Sequence, residues 1–218
     1  MNEFARLELK EHLIGAVSEM GYEEPTPVQS AVIPLLLAGE DVFAQSQTGS
    51  GKTAAFALPI LNNLTPRQGY IQCLVLSPTR ELAVQVADAF NDYGKGEKFS
   101  VLPIFGGQAY SRQINRLRKG VDIVVGTPGR ILDLIRKKEL DLSSIEIVVL
   151  DEADEMLSMG FIVDIRSILE EVPETRQTAL FSATLPDAIR QLGRKYMNDP
   201  HSILIKKKHL TVDSIEQR

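Results

Sequence analysis

The stretch 41–53, DVFAQSQTGSGKT, holds the residue types that can seat a chain of phosphates. Val42, Phe43 and Ala44 read as a short buried strand. Gln47, Thr48, Gly49, Ser50 and Gly51 form a loop, and Lys52-Thr53 opens a helix running through Ala54, Ala55, Phe56 and Leu58. Strand, glycine loop and helix in that order turn backbone N–H groups and the positive helix end toward an anion. Lys52 is placed to reach the β and γ phosphates of a nucleotide, and the Thr53 hydroxyl to ligate Mg²⁺. One position departs from the phosphate-loop pattern: Ser46 stands where glycine is expected, six residues before the lysine. The same letters also fit a plain turn ahead of a helix. It is the coincidence of strand, glycine spacing, Lys-Thr and helix that favours the phosphate seat.

A second constellation is Asp151-Glu152-Ala153-Asp154, directly after the apolar run 145–150. A carboxylate at the end of a buried strand can hold Mg²⁺ through its water shell, which is the role that suits Asp151. Glu152 is placed to orient and activate a water attacking a γ-phosphate. The competing reading is a cluster of acids favoured by a helix dipole. Gln29 also has two readings. Thr26, Pro27 and Gln29 have capping-box spacing, so the amide can close a helix N-terminus. A carboxamide can equally pair with adenine N6 and N7, a pairing that guanine breaks. Three further segments follow strands: Pro78-Thr79-Arg80-Glu81-Leu82, Gly106-Gly107 and Thr127-Pro128-Gly129-Arg130. Each alone fits a helix cap or turn; together at one sheet edge they suit a sugar–phosphate backbone. Ser182 and Thr184 flank Ala183 after another strand, where they can hydrogen-bond Asp154 or make an ordinary Ser/Thr turn.

The elements that must position these groups alternate regularly. Strands are expected at 72–77, 100–104, 122–126, 145–150, 177–182 and 202–205, besides the one before the loop. They are Val-, Ile- and Leu-rich without polar alternation, as in parallel strands covered on both faces. Helices are expected at 10–20, from Pro27 to about Leu37, and at 79–93, 109–119, 128–138, 164–171 and 187–197. The fold class implied is α/β, a doubly wound mostly parallel sheet with helices on both faces. In such sheets ligands meet the carboxyl ends of the strands, where the polar motifs fall.

Composition sets the outer limits. The chain has 218 residues, 44% apolar content and a net charge of −5, enough for one large domain without the charge of an overt nucleic-acid binder. Basic clusters at Arg112/Arg116/Arg118/Lys119 and Arg130/Arg136/Lys137/Lys138, and at Lys206, Lys207 and Lys208, read as solvated faces. Nucleic acid, if bound, must be held by local contacts, backbone amides and helix N-termini. No apolar run suits a membrane span and the N-terminus is too charged for a secretory signal. The single cysteine, Cys73, sits in an apolar run and suits a reducing compartment.

Taken in order, Phe4, GYEEPTPVQ (21–29), AQSQTGSGKT (44–53), PTREL (78–82), Gly106-Gly107, TPGR (127–130), DEAD (151–154) and SAT (182–184) resemble the first RecA-like domain of a DEAD-box RNA helicase. The resemblance covers essentially the whole chain. It implies a RecA-like P-loop domain over 1–205, with an adenine-recognition segment at 1–38 and the start of an interdomain linker at 206–218. It implies that Gln29 recognises adenine with Tyr22 and Phe4 packing the base, and that ATP and Mg²⁺ engage Gln47, Thr48, Gly49, Ser50, Gly51, Lys52, Thr53, Asp151 and Glu152. It implies that Pro78, Thr79, Arg80, Gly106, Gly107, Thr127, Pro128, Gly129 and Arg130 bind single-stranded or duplex RNA, and that Ser182 and Thr184 couple to Asp154. Ser46 stands where many family members carry alanine. The family's second RecA-like domain, which supplies arginines to the γ-phosphate, has no counterpart after Ile205. The expectation is therefore a cytoplasmic, non-membrane enzyme half that binds adenine nucleotide, hydrolyses it poorly and unwinds nothing alone. Alternatives are a nucleotide-gated RNA clamp or scaffold and a DNA-directed helicase of the same superfamily. A GTPase is disfavoured, because no Asn/Thr-Lys-x-Asp guanine motif is present.

Overall fold

A computed structural model of the protein describes residues 3–47 and 49–205. Thr48, expected in the phosphate loop, and the expected linker at 206–218 lie outside the described residues. In chain order the elements are a 3-10 helix Glu3–Leu7, then α1 Glu11–Glu19, α2 Pro27–Leu37, β1 Val42–Gln45, α3 Lys52–Asn63, β2 Cys73–Leu76, α4 Arg80–Tyr93 and β3 Val101–Ile104. They continue with α5 Tyr110–Leu117, β4 Ile123–Gly126, α6 Pro128–Arg136, β5 Ile147–Leu150, α7 Ala153–Ser158, α8 Ile162–Leu169, β6 Gln177–Ser182, α9 Asp187–Tyr196 and β7 His201–Leu204.

The seven strands form one sheet in the order β3-β4-β2-β5-β6-β1-β7, and every pairing is parallel. This is the doubly wound α/β sheet that the unbroken apolar runs implied. Strands β2, β4 and β5 are buried at all of their positions, because helices cover both faces. One face packs against α1 to α4 and the other against α6 to α9. α3, which follows β1, and α7, which follows β5, therefore leave the sheet on opposite faces. β6 alone separates those two strands, so a cleft opens at their carboxyl ends.

Local chemistry sets the element boundaries. Thr26 and Gln29 close the start of α2 as a reciprocal capping box, with Pro27 in the first turn. The Thr79 hydroxyl accepts from the Leu82 amide to cap α4. Two buried acids anchor the opposite, amino-terminal rim of the sheet. Asp41 accepts from the amides of Thr178 and Asn198 at 2.7 Å each. Asp122 accepts from the amides of Arg67 at 2.7 Å and Ser100 at 2.8 Å.

Two elements were not expected. The 3-10 helix at Glu3–Leu7 is too short and charged to carry a periodic signal. α7 begins at Ala153, inside the acidic motif, and carries only two buried residues, Ala153 and Met156. α8 starts at Ile162, ahead of the expected 164.

The core centres on Phe56 of α3, fully buried between Phe90 of α4 (ring centroids 6.1 Å apart) and Phe181 of β6 (5.4 Å). It ties the helix after the phosphate loop to the strand between β1 and β5. Phe56→Ala is expected to cost about 3–5 kcal/mol by lost burial and the cavity left behind. Urea unfolding of both proteins checks this; a loss under about 1 kcal/mol would contradict it.

Candidate nucleotide and RNA site

β1 ends at Gln45 and the chain turns back through the glycine loop into α3. Gly51 caps α3 in a left-handed conformation, φ +92, and no side chain caps the helix. The first-turn amides of α3 therefore face the loop without an intrahelical partner. A side chain at Gly51 is excluded twice: by that φ, and because a Cβ would lie 2.6 Å from Gln29 Nε2.

That contact shows what Gln29 does in the folded chain. It is 4% exposed; its Oε1 accepts from the Thr26 amide at 2.9 Å and its Nε2 donates to the Gly51 carbonyl at 3.1 Å. Gln29 thus caps α2 and simultaneously braces the phosphate loop. One Nε2 hydrogen and one Oε1 lone pair stay available for a base, since a carboxamide has two of each.

Lys52 and Asp151 are brought together from α3 and the end of β5. Lys52 Nζ lies 3.9 Å from Asp151 Oδ1 and 3.7 Å from Glu152 Oε1, with Lys52 and Asp151 only 6% and 2% exposed. Both ion-pair distances exceed hydrogen-bond range. Lys52 Nζ and Asp151 Oδ1 accordingly make no hydrogen bond among the described residues, and neither do the buried hydroxyls of Ser46 and Ser50. Four orphaned polar atoms around one loop are costly unless a ligand satisfies them. Burial pushes the Asp151 carboxyl up to about 6; Lys52 opposes the rise and Glu152 adds to it. In hydrogen bonding, Asp41 and Asp122 differ from Asp151: both carboxylate oxygens of each accept from backbone amides.

Glu152 adopts a left-handed backbone, φ 53 and ψ 52, where β5 gives way at once to α7. A non-glycine residue there carries a strain of about 1–3 kcal/mol, tolerated where the surroundings enforce it. Two residues on, Asp154 Oδ2 accepts from the Thr184 hydroxyl and amide at 2.9 Å each, and Oδ1 from the Ala183 amide at 3.3 Å. Burial would raise the Asp154 carboxyl, but these hydroxyl and amide groups hold it below the ordinary carboxylate value. The Ser182 hydroxyl donates to the Thr184 carbonyl at 2.6 Å and so shapes the turn that presents Thr184.

Gln29, Gly51, Lys52, Asp151 and Glu152 line one cleft of about 790 Å³, together with Tyr22, Thr26, Gly49 and Thr53. That volume is within the usual range for a small-molecule site. Phe4 does not reach it. The ring is fully buried in the core cluster that includes α2. A feature absent from the sequence reading is the α4 wall, where Glu81, Gln85, Asp88 and Asp92 also line the cleft. Their spacing was the only signal, and it equally describes the solvent face of an amphipathic helix.

The donor set suits a nucleotide with Mg²⁺. Among the described residues no cluster of three His, Cys, Asp or Glu could hold a metal by itself. Asp151 and Thr53 would supply only part of a shell, with phosphate oxygens and water completing it, as Mg²⁺ prefers.

The three expected RNA segments share the carboxyl rim at β2, β3 and β4. Gly106 and Gly107 are exposed; Pro78 and Pro128 are buried and fix the chain direction. Arg80 lies over the Phe105 ring at 4.8 Å. Arg130 donates to the Gln108 carbonyl at 3.1 Å and to Gln113 Oε1 at 3.3 Å, and lies over the Tyr110 ring at 4.0 Å. It therefore ties the Gly106-Gly107 loop to α6. The Thr79 hydroxyl is used as a cap, whereas Thr127 makes no cap bond to its own helix.

Comparison with known proteins agrees with this geometry. A family model described as DEAD/DEAH box helicase matches residues 26–192. The chain is 52% identical to the RNA helicase CrhR of Synechocystis, covering 99% of this chain and 44% of that protein. It is also 52% identical to the ATP-dependent RNA helicase DeaD of Escherichia coli, covering 98% of this chain and 34% of that protein. The chain thus spans less than half the length of these relatives and corresponds to their N-terminal part. A crystal structure of a DEAD box protein from Methanococcus jannaschii superimposes with a TM-score of 0.90 at 44% identity, covering 93% of this chain and 56% of that one. With the phosphate loop, acidic strand end and Thr184 latch on one sheet rim, these matches establish that the chain belongs to the DEAD/DEAH box helicase family.

Proposed function

We propose that this chain is the ATP-binding half of a DEAD-box RNA helicase that couples ATP binding and hydrolysis to local separation of RNA strands. The observation that carries the reading is the meeting of Gln29, Lys52, Asp151 and Glu152 in one cleft, with Lys52 Nζ and Asp151 Oδ1 left without hydrogen bonds. The loop amides and Lys52 hold the β and γ phosphates, and Thr53 and Asp151 hold Mg²⁺. When bound, Mg²⁺ would supply charge neutralisation on the phosphate oxygens. The Gln29 carboxamide reads the adenine edge through its remaining donor and acceptor, and the Tyr22 ring closes that end of the cleft. Glu152, held at the strained start of α7, orients the attacking water and takes its proton.

The Asp154–Thr184 bonds join the acidic motif to the β6–α9 turn, so a change at Glu152 passes to the part of the rim that carries Thr184. The segments at Thr79, Gly107 and Thr127 take the sugar–phosphate backbone of RNA, favoured over DNA by 2′-hydroxyl contacts. In the full-length protein a second domain would supply arginine to the γ-phosphate, and such a residue contributes about 10³–10⁵ in rate. This chain alone therefore binds adenine nucleotide, hydrolyses it slowly and unwinds nothing. No helix among the described residues is long and apolar enough to cross a membrane. The single thiol, Cys73, is buried and free, in keeping with a reducing cytoplasm.

Two measurements test the site. Lys52→Ala should abolish Mg·ADP binding in calorimetry while the far-UV spectrum is retained; unchanged affinity would remove Lys52 from the phosphate seat. The second uses the raised Asp151 value. The folded chain holds the Asp151 proton more tightly than the unfolded chain does, so its stabilising contribution is complete below about 3.8 and lost as pH rises through about 6. Asp151→Asn has no such proton. Relative to wild type, its melting temperature in metal-free buffer should therefore rise between those pH values. A difference that is flat with pH would contradict the raised carboxyl.

A further inference from the structure

At the amino-terminal rim of the sheet, about 820 Å³ of cleft lies between α4, α5 and the edge strand β3. Arg67, Lys98 and the Arg116/Lys119 pair of α5 and its last turn reach it from three separate segments. None of the four forms an ion pair with a described residue, whereas Arg118, beside Arg116, is paired with Glu139 at 3.2 Å. The one acid in the lining, Asp122, is 2% exposed and engaged by the amides of Arg67 and Ser100. Its bond to the Arg67 amide accompanies a left-handed backbone at Arg67, φ 63, so the arginine is placed by structure and not by chance. Four unmatched cations thus converge in a chain of net charge −5.

The cleft is also connected. Arg112, Arg116 and Lys119 are spaced three and four residues apart, which puts them on one face of α5 and its last turn. All three are exposed. α5 begins three residues after Gly107, on the carboxyl rim, and descends about 12 Å toward the cleft at 1.5 Å per residue. The basic face therefore joins the RNA rim to the cleft along the free edge of β3. Arg116 Nη2 reaches the Val101 carbonyl at 3.5 Å, which leaves most of its five donors outward.

We propose that the α5 face and the Arg67–Lys98–Arg116–Lys119 cleft hold the phosphodiester backbone of single-stranded RNA that runs beyond the Gly106-Gly107 rim. The inference rests on the RNA reading of that rim. The binding is electrostatic and indifferent to sequence, since the contacts offered are charges to phosphate and none is directed at base edges. A continuous basic path from the rim favours a nucleic-acid backbone over an isolated anion, for which one pair of cations would suffice.

The test is fluorescence anisotropy of this chain, with Mg²⁺ and a non-hydrolysable ATP analogue, on oligouridylates of about eight and about twenty nucleotides across a salt series. R116Q/K119Q alters only exposed side chains, and its Mg·ADP affinity serves as the folding control. The double variant should leave the short RNA unchanged, weaken the long one about 3- to 10-fold, and flatten its log K against log salt slope by about 1.4. R116K/K119R, which keeps the charge, should restore the long-RNA affinity. Long-RNA affinity and slope that ignore R116Q/K119Q would overturn the inference while leaving the rim intact. Binding of polyglutamate that depends on R116Q/K119Q, with long-RNA binding that does not, would overturn it in favour of an acidic protein. If neither RNA binds, the rim reading falls and this inference falls with it.

Discussion

One buried cation shared by two carboxylates governs this molecule. Lys52 faces Asp151 at 3.9 Å and Glu152 at 3.7 Å, close enough for attraction and too far for a hydrogen bond. Burying charges costs several kcal/mol per ion unless geometry and hydrogen bonds offset the desolvation, and here Lys52 Nζ and Asp151 Oδ1 make no hydrogen bond among the described residues. The upward shift of Asp151 to about 6 is the same cost seen as proton affinity. A fold that sought stability alone would close this gap, as it does around Asp41 and Asp122 with backbone amides. Under the proposed function, the open arrangement at Lys52 exchanges stability for a seat that a polyphosphate and a divalent cation would complete.

The rest of the sheet maintains that gap. β1 delivers the loop and β5 the acids, while β6 between them holds the two strand ends in register. Phe56 fixes α3, and with it the backbone of Lys52, against β6. Gln29 clamps the loop from the other side through the Gly51 carbonyl. On the acidic side, the Asp154–Thr184 bonds pin the first turn of α7 two residues from Glu152. The left-handed Glu152 is the point where these constraints meet, because only Asp151 and Glu152 lie between the end of β5 and the start of α7.

The parts of this design legible in the sequence were those with a local signature. The covered strands announced themselves as unbroken Val, Ile and Leu runs, and the glycine loop by its spacing before Lys52. Gln29 carried two readings that spacing could not separate, cap or base contact. The folded chain shows the cap and adds the Gly51 brace, a tertiary contact with no trace in local sequence. The full burial of Phe4 is a property of the assembled core, with no local signature. α7 escaped because a six-residue helix with two buried positions has too few turns to show a period. The basic cleft escaped for a related reason. Arg67, Lys98 and the Arg116/Lys119 pair are scattered over three segments, and only the folding of β3 against α4 and α5 gathers them.

The most direct test of the shared seat is a crystal structure of this chain grown with Mg²⁺ and a non-hydrolysable ATP analogue. Phosphates are expected against the amides that follow Gly49, with Lys52 Nζ drawn to them. The metal is expected within water-bridging reach of Asp151, and the adenine edge on Gln29. A nucleotide bound elsewhere, or bound here with Gln29 and Asp151 both out of reach, would contradict the shared seat.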